Sequence, residues 1–197
     1  TIAVAGTHGK TTTSSMIAHI LKASGYNCSA FLGGIAKNYN TNLLLSPSAI
    51  GENYTVVEAD EYDRSFLSLK PAISVITSMD ADHLDIYGSE DYMIESYKMF
   101  AQKLRPEGVL IYKKGLPLED LPLTKSSYDV NGKADYSAEN IRIGDHRYHF
   151  DWKNSTTSIK DITSHMPGLH NVENAIAAIA VARILKVSRS TIIDKLR

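Results

Sequence analysis

Lys10 follows a glycine and opens onto three threonines, Thr11, Thr12 and Thr13. An ammonium beside a hydroxyl at the start of a helix suits a polyphosphate. The ammonium reaches the terminal phosphates, and the hydroxyl ligates the Mg2+ that travels with them. The residues before them supply the rest of such a loop. Ile2 to Ala5 is a short apolar run that predicts a buried parallel strand; it breaks at Gly6 and passes through Thr7, His8 and Gly9. Met16, Ile17, Ile20 and Leu21 then recur at helical spacing. At such a helix start the backbone N–H groups and the helix dipole both favour an anion. Gly6 and Gly9 have two residues between them, where the common phosphate loop has four before its Gly-Lys pair. The loop is therefore short for an NTPase.

Acidic residues follow in a cluster, Glu58, Asp60, Glu61 and Asp63, directly after the apolar run from Tyr54. In an open parallel sheet, ligands bind outside the carboxyl ends of the strands, so Glu58 should face the crevice that holds the loop. Mg2+ prefers oxygen ligands and takes only one or two from protein. Thr11 and Glu58 would meet that need. Glu61 and Asp63 read equally well as a solvated acidic turn. His83 lies just past the next strand, between Asp82 and Asp85, and this strand-end placement makes it a second candidate metal ligand. Further on, Gly168-Leu-His-Asn-Val-Glu-Asn174 places Asn171 and Asn174 on one helix face, beside His170. Carboxamides there can offer a donor and an acceptor to an adenine edge, although simple capping explains the residue types as well.

The elements that must position these groups follow from the patterning. A helix is expected to about Ser24, with Gly25 as its stop. A short strand from Cys28 to Leu32 should lead through Gly33-Gly34 into a polar, Asn-rich loop, Lys37 to Asn42. Strands are expected at Tyr54 to Ala59, Ala72 to Met79, Val109 to Tyr112 and Lys125 to Val130. A helix begins near Glu90, with Met93, Tyr97, Phe100 and Leu104 on one face. Residues 134–163 alternate apolar and polar between turn signals, which predicts a small antiparallel meander. A long Ala-rich helix, Asn171 to Leu185, follows, and Ser188 caps a last one. The fold class is α/β: a mostly parallel sheet of the phosphate-loop type, flanked by helices, with the meander near residues 134–163.

The 197 residues fit one sizeable domain, and 43% hydrophobic content allows a full core. A formal charge of −1 argues against a nucleic-acid surface. Cys28 is the single cysteine, which excludes an intrachain disulfide and fits a reducing cytoplasm. No apolar run approaches membrane-spanning length. Starting on a strand without Met and stopping within a helix, the chain is expected to be a domain of a longer protein. A GTPase would carry an Asn-Lys-x-Asp motif, which is missing from this sequence.

Four motifs stand in order: Gly-Thr-His-Gly-Lys-Thr-Thr (6–12), Glu-Ala-Asp-Glu-x-Asp (58–63), Asp-His-Leu-Asp (82–85) and Gly-x-His-Asn-x-x-Asn-Ala (168–175). In this the chain resembles the central ATP-binding domain of the Mur ligases, over essentially its whole length. The resemblance implies a bacterial cytoplasmic enzyme of peptidoglycan precursor synthesis. Flanking domains, for a UDP-sugar and for an amino acid, would lie outside residues 1–197. It implies an ATP-dependent ligase in which a carboxylate becomes an acyl phosphate and an amine then displaces phosphate. The branch it is most similar to joins L-alanine to UDP-N-acetylmuramate. The muropeptide-recycling branch, which adds a tripeptide, is the nearest alternative, and folylpolyglutamate synthase a remoter one. By the family pattern, Gly6, Thr7, His8, Gly9, Lys10, Thr11 and Thr12 hold the phosphates. Thr11 and Glu58 hold one Mg2+, Glu58 and His83 a second, and His170, Asn171 and Asn174 the adenosine. Lys10, Glu58 and His83 would be catalytic. Relatives carry a modified lysine on the helix after the histidine; the apolar face puts Tyr97 at that place, leaving Lys98 a surface lysine. The chain alone is expected to bind nucleotide without acting as a ligase.

Overall fold

The structure is a computed structural model that describes residues 1–48, 50–62, 64–80 and 89–196. Its centre is β1 (Ile2–Ala5), fully buried and flanked by parallel neighbours on both sides, β4 (Tyr54–Glu58) and β5 (Ile73–Ile76). Such a strand must be apolar on both faces, which is why four consecutive apolar residues form it. Ile2 and Val4 point to one core and Ala3 and Ala5 to the other.

Outward from β4 come β2 (Cys28–Ala36), parallel to it, and β3 (Thr41–Leu44), antiparallel at the edge. Outward from β5 come β6 (Val109–Lys113) and β7 (Lys125–Asp129), both parallel. The antiparallel strands β8 (Tyr136–Gly144), β9 (Arg147–Lys153) and β10 (Ser158–Ser164) follow. Among the described residues these form one ten-stranded sheet, ordered β10-β9-β8-β7-β6-β5-β1-β4-β2-β3. The expected meander is thus present, but it is continuous with the main sheet through a short parallel pairing of Tyr128 with Tyr136 and Asp129 with Ser137.

Two expectations at the other edge are corrected. Gly33 and Gly34 lie inside β2, and the Asn-rich segment is the turn of a β2–β3 hairpin, with Ala36 opposite Thr41. Glycine is a poor strand former, and here a side chain from β4 needs the space.

On one face, α1 (Lys10–Ala23) packs with α3 (Leu169–Ile184) and α4 (Arg189–Lys195) over Ile2, Val4, Val75 and Ile111. On the other, α2 (Glu90–Ala101) and a 3-10 turn (Ser65–Ser68) cover Ala3, Ala5, Ile76 and Leu110. Ser89 and Ser188 cap α2 and α4 by accepting from the backbone N–H three residues on, at Tyr92 and Thr191. Cys28 is buried at the start of β2, and that burial pushes its thiol up to about 11. The meander braces α3: Trp152 of β9 is fully buried, donates its indole N–H to the Ile176 carbonyl, and stacks on Tyr136. Alanines 175, 177, 178, 180 and 182 let this helix lie close to its neighbours. Its N-terminal end is thereby held beside the end of β1. No helix among the described residues is long and apolar enough to cross a membrane.

Candidate nucleotide and metal site

The loop between β1 and α1 is fixed by hydroxyls rather than by glycine alone. Thr77 Oγ1, just past β5, donates between the carbonyls of Ala5 and His8. Ser78 Oγ accepts from the His8 N–H at 2.7 Å and lies 2.9 Å from Thr7 Oγ1, which in turn accepts from the Asp80 N–H at 3.1 Å. Neither Thr77 nor Ser78 is visible as functional in the sequence, because a hydroxyl after a strand carries no distinctive spacing. The α1 N-cap is Gly9, at φ 84°, with no side-chain cap and no acidic residue in the first turn. The first amides of α1 are therefore without a side-chain cap, and no acidic residue of the helix itself offsets its positive end. Such a helix start suits an anion. Thr12 is half-buried in the first turn, and exposed His8 stands 3.8 Å from Asp80 across the rim.

Lys10 Nζ lies 2.8 Å from each oxygen of Glu61. The sequence left Glu61 open between a solvated turn and a functional group; at 1% exposure it is buried.

Glu58, at the end of β4, faces the same crevice. One carboxylate oxygen accepts from Thr11 Oγ1 at 2.9 Å and the other from the Gly33 N–H at 2.7 Å. A Cβ at Gly33 would sit 2.4 Å from the carboxylate, so only glycine lets β2 come this close. Whether Mg2+ fits is decided by the donors. Adjacent ligands around octahedral magnesium, each ~2.1 Å from the ion, are about 3 Å apart. The Thr11 hydroxyl donates to the Glu58 oxygen at 2.9 Å, so the two oxygens stand close to the spacing of such an edge. Among the described residues no group of three His, Cys, Asp or Glu side chains could cage a metal. Two oxygens completed by phosphate and water match how magnesium is usually held. His83 lies outside the described residues, as do Asp63, Asp82 and Asp85.

The third constellation reaches the loop through α3. Asn174 is buried, and its carboxamide oxygen lies 2.7 Å from where a Cβ on Gly9 would be. Its amide donates to Asn171 Oδ1 at 3.3 Å, and the Asn171 amide donates to the Pro167 carbonyl. Asn171 thus ties down the chain entering the helix, the capping role that its residue type suggests, while Asn174 sits against the β1–α1 loop at Gly9. His170 is exposed and folds back over Gly168. Between the two asparagines Glu173, 14% exposed, meets Lys113 Nζ at the end of β6 at 2.8 Å; nothing in the sequence links the two. Lys98 is a surface lysine paired with Glu95 at 3.2 Å, and Tyr97 is buried against Phe66.

Residues 4–182 match the family described as the Mur ligase middle domain. A UDP-N-acetylmuramate–L-alanine ligase from Parabacteroides distasonis is 50% identical over 184 residues, covering 92% of this chain and 39% of that protein. One from Christiangramia forsetii is 48% identical over 181 residues, covering 92% of this chain and 38% of that protein. The chain thus spans about two fifths of the length of the curated relatives it matches. Among solved structures, the UDP-N-acetylmuramate-alanine ligase MurC of Thermotoga maritima superposes with a TM-score of 0.83 at 26% identity. That match covers 98% of this chain and 43% of that one.

Proposed function

The chain belongs to the Mur ligase family as its middle domain, and from that membership we propose that it holds MgATP for an amide ligase joining L-alanine to UDP-N-acetylmuramate. The observation that carries the reading is the hydroxyl–carboxylate edge of Thr11 and Glu58, set beside Lys10 at the open start of α1. For the branch, the support is close to 50% identity with two ligases named for L-alanine.

In this reading the triphosphate lies along Gly6 to Thr11, with the first amides of α1 and the Lys10 ammonium drawing off its charge. Thr11 and Glu58 would hold the magnesium, whose positive charge would be supplied beside the transferred phosphoryl group. The adenosine lies toward Asn174 and His170, on the far side of Gly9. A second ion at Glu58 and His83 rests on the family resemblance alone. The carboxylate of the sugar substrate then attacks the terminal phosphate, releasing ADP and forming an acyl phosphate, and the amine of alanine displaces phosphate from it to form the amide. Holding both reactants in line is the work of flanking segments of the full-length protein, which we place in the cytoplasm, where ATP and the UDP-sugar meet.

The test is a product assay on the full-length protein with MgATP and UDP-N-acetylmuramate, offering L-alanine or an alanyl-glutamyl-diamino-acid tripeptide. The alanyl product should form with one phosphate released per amide bond. Preference for the tripeptide would assign the recycling branch, and no product with either would remove the reading.

A further inference from the structure

Glu61 remains after the loop and the metal edge are accounted for. It is 1% exposed, yet it sits only three positions beyond the half-exposed Glu58. The segment carrying it is anchored in the second core by Ala59 and Phe66, which are both buried, and Phe66 stacks on Phe100 at 5.0 Å. Its backbone is pinned by two turn contacts. The Asp60 carboxylate accepts from the Tyr62 N–H, and the Glu61 carbonyl accepts from the Arg64 N–H, each at 3.0 Å. The Glu61 carboxylate is therefore held by rigid neighbours, and both of its oxygens stand 2.8 Å from Lys10 Nζ.

Burying such a pair brings little net stability, since a packed apolar pair would serve the fold as well or better. Its placement at a phosphate loop points elsewhere. An ammonium has three N–H donors and no acceptor. With two directed at Glu61, a third is left, and Lys10 keeps 14% of its side chain open to solvent. A free lysine side chain gives up rotamer entropy when it is fixed. Here that ordering precedes nucleotide binding, which lowers the cost of binding.

We propose that Glu61 is a positioning residue for Lys10: it grips two protons of the ammonium and aims the third at the terminal phosphates of the nucleotide. This rests on the reading that Gly6 to Thr11 takes the triphosphate. The two carboxylates then divide the work. Glu58 serves the metal edge and Glu61 the lysine.

Titration of ATP and AMP against the full-length protein, E61A, E61Q, K10A and K10A/E61A tests it. E61A should weaken ATP about tenfold, the scale of one charge-assisted contact, and leave AMP within about twofold. In the K10A background, loss of Glu61 should weaken ATP no further. Equal losses for ATP and AMP, or a loss that persists without Lys10, would mean that Glu61 only supports the fold. A gain in ATP affinity on removing it would make it a competitor for the lysine. Either result overturns the positioning role. If E61A does not fold, E61Q, which keeps the side chain's shape, carries the same comparison. Failure of the underlying reading shows separately, as ATP affinity unchanged in K10A.

Discussion

Glu58→Gln should lower amide formation by the full-length protein about a thousandfold or more, while its melting temperature stays nearly the same. Glutamine reproduces the shape of the side chain and can still satisfy its neighbours. Its carbonyl oxygen accepts from the Gly33 N–H, as the carboxylate does at 2.7 Å. Its amide can donate to Thr11 Oγ1, whose hydroxyl rotates to accept. What is lost is the negative charge on one edge of the proposed metal site. Stabilisation by a bound metal of charge on a phosphoryl oxygen is worth several kcal/mol, and about 4 kcal/mol corresponds to roughly a thousandfold in rate. Binding of ATP without divalent metal should change little. A loss under about tenfold, with the same magnesium requirement, would mean that Glu58 only orients β2 against β4.

Gly6→Ala should unmake the loop itself. Gly6 has φ +134°, and an added Cβ would come 2.2 Å from Thr77 Oγ1 and 2.8 Å from the Ser78 backbone nitrogen. The hydroxyl cannot step aside without releasing the carbonyls of Ala5 and His8 that it holds. Overpacking of this kind costs about 1–3 kcal/mol, and alanine at positive φ adds to that. A total near ~3 kcal/mol would lower the melting temperature of a domain this size by roughly 6–12 °C. ATP affinity should fall with it, because the amides of α1 then lose their register with the end of β1. A variant that melts within about 2 °C of the parent would show that the loop yields easily.

These two residues mark what could and could not be read before the fold was known. Gly6 and Glu58 are legible because each closes a mostly apolar stretch, and a parallel strand of a central sheet leaves few other readings for such a stretch. Lys10 and Thr11 were legible from their place at a helix start. In the sequence Gly33 reads as a loop residue, since nothing local says that a carboxylate from 25 residues later needs the space its missing side chain leaves. The clamp by Thr77 and Ser78 was hidden for a related reason: it depends on β5 lying next to β1, which is a property of sheet order. The same holds for Lys113 with Glu173, and for Lys10 with Glu61. Side-chain chemistry shows which groups need partners, and only topology supplies the partner. By residue type and spacing Asn171 and Asn174 are equals, yet α3 gives them different work. Asn171 turns back to the Pro167 carbonyl, and Asn174 faces Gly9.

The central claim is that the triphosphate of ATP lies on Gly6 to Thr11. Calorimetric titration of MgATP into the full-length protein and its Lys10→Ala variant tests this most directly, with AMP as the control. The account predicts that ATP affinity falls about tenfold or more in the variant, the scale of one lost charge-assisted contact, while AMP affinity holds. Equal ATP affinity in parent and variant would contradict it and place the phosphates elsewhere.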